Sequence, residues 1–401
     1  MHGATGERID AAMLFAPDVV RDPFPLYREL RPSTPFPTDD GLWLVMQNEH
    51  VFSVLSDHRT FSSHLLHLEN PVLRGTPVIF EDPPDHTRHR KLLQPAFTQA
   101  RINELEPWVA EVVSEVIAAI PVGEVDSVEW LCDPLPVRVI AQVMGVPADL
   151  HRQFKRWSDQ RTYLVARRTW HETGEEAAPI REAELGNREL LAYFLAEAAS
   201  RRAQPMDDLI SDMVAANEGD DALEETEIAA ICALLLTAGN VTTTNLLGNL
   251  LGLLADNPEI YRRLRADRSL VEGTIEETLR LESPVQWLYR RATRDAQIGG
   301  TLIPEGASVI VYFGAANRDP QAYEDPERFD VDRPPSRHAA FGHGIHFCVG
   351  TPLARMETRL ALDAVLDRFV SISRGAAPGR RIDDAATHCG YRSLPLVFNE
   401  R

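Results

Sequence analysis

Phe341-Gly-His-Gly-Ile-His-Phe-Cys-Val-Gly350, followed by Thr351-Pro-Leu-Ala-Arg355 and a helical pattern running to Phe369, decides how this 401-residue chain is read. Gly342, Gly344 and Gly350 let the backbone turn tightly and approach a flat group, leaving amide N–H groups free to point at a sulfur. Phe341 can shield that sulfur from water. Cys348 lies just before a helix whose N-terminal dipole should lower its thiol pKa and favour the thiolate that a metal requires. A lone cysteine is more often a buried structural residue. Zinc held by His343, His346 and Cys348 would need a fourth ligand, and the remote His388-Cys389 pair is the only obvious source. Neither alternative accounts for the glycines, the phenylalanine and the following helix together.

The segment resembles the haem-binding signature of the cytochrome P450 family, Phe-x-x-Gly-x-x-x-Cys-x-Gly, through Phe341, Gly344, Cys348 and Gly350. The resemblance implies haem b, with Cys348 as the axial thiolate, which pushes electron density onto iron and favours O–O cleavage. Other stretches carry the likeness along most of the chain. Glu277-Thr-Leu-Arg280 is similar to the family's Glu-x-x-Arg motif, and Pro326-Glu-Arg-Phe329 to its partner segment. The likeness implies that Arg328 completes a Glu/Arg/Arg cluster with a structural role. Alone, a Glu-x-x-Arg pair is a common surface feature of helices.

Asp82-Pro-Pro-Asp-His-Thr-Arg-His-Arg90 supplies a turn, an Asp85 helix cap, and then His86 and Arg90 four apart on one helix face, able to reach one anion. By resemblance that anion is a haem propionate, with Arg290, in Tyr289-Arg-Arg-Ala-Thr293, and His346 serving the carboxylates from other directions. Arg88, Arg291 and Arg294 are expected to be solvated surface charges. His338 can be read either way.

Ala238-Gly239-Asn240-Val241-Thr242-Thr243 resembles the family's distal-helix motif, Ala/Gly-Gly-x-Asp/Glu-Thr. There Ala238 and Gly239 would leave room for dioxygen, and the Thr242 hydroxyl would support proton delivery. The simpler reading of a threonine inside a helix is a bond to its own backbone. The departure is Val241, where the family usually carries an acid. The resemblance further implies that Ala238, Val241, Val285, Trp287 and Leu288, part of the Ser63 to Val78 loop and the Tyr391 to Leu394 turn face a hydrophobic substrate. The plain core reading is strongest for Val285 and Leu288.

The rest of the chain is consistent with this. Apolar residues recur three and four apart over most of Pro83 to Asp295, and strands are expected only at Leu42 to Met46, Ala307 to Tyr312 and Leu394 to Phe398. A helix from about Glu224 to Ala255, ~45–50 Å long at ~1.5 Å per residue, must cross the core and stop at Asn257-Pro258. Its polar interruptions favour a buried helix over a membrane span. Asn317 to Gly350 reads as a long irregular stretch of the kind that serves a site. With no repeat or Gly/Ser linker, the expectation is one mainly α domain over 1–401 with small peripheral β-sheets, and a monomer.

The formal charge of −19 disfavours nucleic acid as a partner. Four cysteines without regular spacing suggest a reducing, cytoplasmic setting, and Met1 to Val20 lacks a signal-peptide core. No dinucleotide-binding fingerprint is present, so the resemblance implies electrons from a separate ferredoxin-type donor and its reductase. Arg88, Arg333, Arg337 and Arg355 are its possible contacts. The implied reaction is insertion of one oxygen atom of O2 into a hydrophobic small molecule, by hydroxylation or epoxidation. A peroxide-driven oxygenase and a non-enzymatic haem-thiolate ligand-binding or sensor protein are the alternatives.

Overall fold

The computed structural model describes residues 9–64, 72, 75–147, 150–165, 177–215 and 223–400. The long helix runs Glu225–Asp256, 32 residues, and everything else is arranged around it. Glu224 begins it with a reciprocal capping box, accepting from the Glu227 backbone while the Glu227 carboxylate accepts from the Glu224 N–H at 2.8 Å. Asn257 ends it, and Pro258 opens the next helix at a position where a missing N–H costs nothing. Its middle is buried on nearly every side, because a helix apolar all round must be enclosed. By length and composition it could cross a membrane, but here it is the spine of the core.

The helices Pro134–Met144, His151–Val165 and Ala177–Ala203 pack on one flank of this spine, and Val271–Leu281 and Thr351–Arg368 on the other. Leu135, Val139 and Ile140 come from the first flank, and Leu279, Leu353 and Leu362 from the second; all join the largest apolar cluster. The strands lie at the periphery. A five-stranded sheet runs in the order Phe36–Pro37, Trp43–Val45, Ser308–Tyr312, Trp287–Ala292, Phe61–Ser62. A three-stranded sheet pairs Pro395–Asn399 with both Gly123–Asp126 and Ser371–Arg374. The three strands expected from sequence are present with ends shifted by a residue, whereas Trp287–Ala292 and Gly123–Asp126 fall inside the span expected to be helical.

Register in the five-stranded sheet matters for the site. Trp287 pairs with Tyr312 and Leu288 with Val311 in antiparallel fashion. Successive side chains on a strand point to opposite faces. Trp287 and Tyr289 therefore enter an aromatic cluster with Tyr27 and Tyr312, while Leu288 and Arg290 face a central cavity. From 317 to 350 the chain is irregular apart from one short turn at Gly344–His346, as its lack of periodicity implied.

Candidate active site

The cavity is walled on one side by Ala238, Gly239, Thr242 and Thr243 of the central helix, and on the other by Phe341, Gly342, Cys348 and Gly350. Gly342 and Gly344 have φ of +70° and +71°, a conformation that glycine adopts without strain. At Gly344 a Cβ would come within 2.4 Å of the Leu55 carbonyl oxygen, so the turn also needs the space that glycine leaves. The Cys348 N–H donates to the Phe341 carbonyl at 2.9 Å, and the Thr351 hydroxyl donates to the Cys348 carbonyl at 2.8 Å. These bonds fix the cysteine at the start of the Thr351–Arg368 helix.

The sulfur opens onto the cavity yet is walled by protein. Burial pushes its pKa up; the N–H groups of Gly350 and Thr351, the Thr351 hydroxyl and Arg90 pull it back only in part. This corrects the expectation that the helix dipole alone would lower it. A metal cation at the sulfur would favour the thiolate.

At one edge of the cavity cations gather. Arg290 is buried, and the hydrogen bond it makes among the described residues goes to its neighbour's carbonyl, Tyr289, at 2.7 Å. Burial pulls its pKa down to about 10. His86 is buried with Nε2 unpartnered, its ring 4.4 Å from that of His346. His346 Nε2 lies 2.9 Å from the Ser63 hydroxyl, and burial beside Arg290 drives its pKa down to about 2. Arg90 donates to the Phe347 carbonyl at 2.6 Å. Two arginines and two neutral imidazoles thus meet where, among the described residues, no carboxylate bonds Arg290 or His86, an arrangement of donors suited to a dianionic group carrying its own two carboxylates.

The zinc alternative does not assemble. His343 packs on the Phe52 ring, His346 on His86, and Cys389 near Arg381. Among the described residues no cluster of three metal-ligating side chains occurs.

The motif pair behind the loop forms the expected cluster with one member changed. The Glu277 carboxylate accepts from Arg280 at 2.7 and 2.8 Å, from Arg333 at 3.1 Å and from the Asp330 N–H at 3.0 Å. Arg280 also donates to the carbonyls of Asn317, Pro326 and Arg328, binding the irregular segment to the helix. Arg333, and not Arg328, is the second arginine. The Arg328 side chain points outward to Asp330, and only its carbonyl takes part. Arg333 is consequently occupied and cannot contact a partner protein. His338 bonds Glu276, which also holds Arg355 over the Phe341 ring.

Other expectations need correction. Asp85 is the first residue of its helix and makes no capping bond; it serves instead as an acid in the first turn. Arg88 is not a free surface charge but pairs with Glu227 at 2.6 Å, beside His89, which lies between Glu81 and Glu227. Arg291 and Arg294 are both exposed as expected, Arg294 also donating to the Thr60 hydroxyl. Val241 does not face the cavity: it lies about 100° round the helix from Thr242 and looks into a second cavity behind it. Trp287 is in the aromatic core, whereas Val285 and Leu288 line the cavity, as the resemblance implied. Tyr391 of the expected substrate turn lines the second cavity, and residues 65–71 and 73–74 of the Ser63 to Val78 loop lie outside the described residues.

Thr242 lines the cavity and also donates to the Ala238 carbonyl at 2.6 Å, the backbone bond of the simpler reading. Gly239 has an added role, since a Cβ there would meet Ile140 at 3.0 Å. Two residues escaped sequence reasoning. Ser63 carries no local signal. Glu357, in the cavity wall with Oε2 unpartnered and its pKa pushed well up by burial, could have been noticed as a lone acid on an apolar helix face.

The family model for cytochrome P450 matches residues 158–379 of the chain. The chain belongs to the cytochrome P450 family. The PikC monooxygenase of Streptomyces venezuelae is 35% identical to this P450 over 380 residues, 91% of this chain and 88% of that one. The erythromycin C-12 hydroxylase of Saccharopolyspora erythraea is 36% identical over 89% of each. Among solved structures, CYP109E1 of Bacillus megaterium in complex with testosterone has a TM-score of 0.87 and 34% identity, covering 96% of this chain and 99% of that one. Haem is the cofactor that membership implies, and the thiol, the glycines and the unmatched cations at the cavity edge fit it.

Proposed function

We propose that this P450 is a haem-thiolate monooxygenase that inserts one oxygen atom of O2 into a hydrophobic small molecule. The observation that carries the reading is the opposition of the Cys348 sulfur to Ala238, Gly239 and Thr242 across one apolar cavity with Arg90, Arg290 and the paired His86 and His346 at its edge. Haem b, when bound, supplies the iron at which dioxygen is activated. Cys348 would hold that iron through its thiolate. Arg90, Arg290, His86 and His346 would hold the two propionates, with Ser63 fixing the His346 ring. Gly239 leaves the helix surface low where a diatomic ligand must fit. The Thr242 hydroxyl, anchored on the Ala238 carbonyl, can pass a proton without leaving its place.

Val285 and Leu288 would touch an organic substrate. The relatives include an erythromycin C-12 hydroxylase and CYP109E1 in complex with testosterone, which supports a bulky, largely apolar substrate such as a steroid or a polyketide. Electrons would come from a ferredoxin-type donor with its reductase, docking where Phe347 is 43% exposed near Arg337 and Arg355. A cytoplasmic, monomeric enzyme is consistent with the buried free thiols Cys132, Cys232 and Cys389.

A second reading, direct use of hydrogen peroxide, is favoured by one observation: Val241 puts no acid beside Thr242, and peroxide brings its own protons. The test is a reduced-CO difference spectrum, then Soret titrations with testosterone and erythromycin B, then turnover with NADPH, a surrogate ferredoxin and its reductase against turnover with peroxide. A thiolate-type band with NADPH-driven product supports the monooxygenase. Product from peroxide alone supports the second reading, and the band without turnover by either route would leave a ligand-binding protein.

A further inference from the structure

Behind the central helix, on the face opposite the haem cavity, lies a second cavity of about 200 Å³, room for several waters at the ~10–15 Å³ each needs. Its lining is polar. Val241 looks into it, flanked on the helix by Thr244 and Asn245. Across from them stands Asp133, whose Oδ1 has no hydrogen-bond partner and lies 3.5 Å from Lys155. Lys155 in turn holds Asp159 at 2.6 Å. A carboxylate at position 241 would project into this same space.

We infer that this cavity is the proton reservoir of the enzyme, and that Asp133 supplies, through Thr244, Asn245 and bound water, the proton that an acid at position 241 would otherwise deliver beside Thr242. The inference rests on the monooxygenase reading. The Thr244 hydroxyl donates to the Cys132 carbonyl at 2.9 Å and stands beside the Asp133 carboxyl. Asn245 follows Thr242 by three residues, so their side chains are neighbours on the helix surface. Asn245 Nδ2 is buried without a partner, a donor left over for water. In the transfer the O–H bond of the Asp133 carboxylic acid breaks as an O–H bond forms on the adjoining water; each water passes on one proton until the Thr242 oxygen gains one and releases its own into the haem-side cavity, and the carboxylate is reprotonated from solvent past Lys155 and Asp159. No electrons move.

The charges facing Asp133 favour this. Burial raises its carboxyl to about 6, with Lys155 opposing and Asp159 reinforcing the rise. From the C-terminal segment, buried His388 is pulled down to about 4 and is neutral near pH 7, and Arg392 is engaged by Asp384. Tyr391, also facing the cavity, is shifted upward and stays neutral. The central helix contributes no charge to the cavity. Asp133, at about 6, thus holds a proton that it can exchange near neutral pH.

The experiment compares holoprotein of wild type, Asp133→Asn, Thr244→Val and Asp133→Asn/Val241→Asp, each first shown to give the thiolate-type reduced-CO band. Infrared difference spectra across pH 4.5 to 8 are recorded on the resting proteins. NADPH oxidation and peroxide release with a surrogate ferredoxin and its reductase are then followed in H2O and D2O. A carboxylic-acid band titrating near pH 6 is expected in wild type and absent in Asp133→Asn. NADPH oxidation by Asp133→Asn should fall on the order of 10-fold, at the weak end of proton-transfer effects because water can partly substitute. Its solvent deuterium effect should grow, Thr244→Val should move the same way, and Val241→Asp should restore most of the rate. A titrating band that survives Asp133→Asn, or an unchanged oxidation rate and deuterium effect, overturns the inference. Failure of wild type to give the reduced-CO band would instead overturn the monooxygenase reading.

Discussion

The two walls of the cavity are built on different principles. The proximal wall, Phe341 to Gly350, is irregular chain held from behind by one buried ion cluster, Glu277 with Arg280 and Arg333, and by backbone bonds into its carbonyls. The distal wall is the interior of a regular helix, where the backbone is bonded along the helix itself, so its chemistry depends on which side chains its rotation presents. A loop needs many specific residues to hold one geometry, whereas a helix needs only a few on each face. The first wall should therefore tolerate little change, whereas the second can carry Val241 at a position where the resemblance implies an acid.

The sharpest way to break the contrast is at the ligand. Cys348→Ala should abolish the thiolate-type reduced-CO band and NADPH-driven turnover altogether, while Thr242→Ala should keep the band and lose coupling of NADPH to product. Next in size is the support of the loop. The Glu277 side chain is 3% exposed, and Glu277→Ala leaves two arginines without their anion. A loss of ~3–5 kcal/mol is expected for breaking such a pair, read as a lowered urea midpoint of the holoprotein and weaker haem retention. No single charge on the distal helix should cost as much.

Legibility in the sequence follows the same division. The loop could be read because its function demands residue types at fixed positions: Phe341, Gly344, Cys348 and Gly350 each do something no other residue does as well. The central helix was legible from its unbroken apolar run and the Asn257-Pro258 stop. What escaped depended on direction. Trp287 and Leu288 are adjacent and both apolar, and only the register against Tyr312 and Val311 tells which enters the cavity. Val241 and Thr242 differ by one step of helical rotation, enough to send them into different cavities. Arg328 and Arg333 are five residues apart in irregular chain, where no periodicity indicates which side chain turns inward. Ser63 meets His346 across 283 residues, beyond any local pattern.

The remaining predictions set the walls against each other in pH, with opposite signs. On the distal side Asp133 is raised from its ordinary 3.8 to about 6, so the folded protein holds a proton that the unfolded chain releases. Stability should therefore fall as pH rises through that window, by ~2–3 kcal/mol at ~1.4 kcal/mol per unit. Asp133→Asn should flatten this limb in urea midpoints measured from pH 4 to 7.

On the proximal side the sign reverses and the effect is smaller. Burial alone would raise Glu276, but His338 and Arg355 outweigh it and pull its carboxyl down to about 2. The folded state then releases the proton more readily than the unfolded chain. Its contribution is present above the ordinary 4.5 and is lost as pH falls toward 2. The Glu276 side chain is 38% exposed and Arg355 43%, so solvent screening reduces the full shift to ~1 kcal/mol or less. Glu276→Gln should remove the part of the acid-side slope between pH 5 and 3 that this trio contributes, leaving the midpoint above pH 5 lower than wild type by that same small amount. Because Arg355 also stands over the Phe341 ring, its release should disturb the proximal loop first. A shift of the reduced-CO band in Glu276→Gln, without any change in the Asp133 limb, would separate the two walls experimentally.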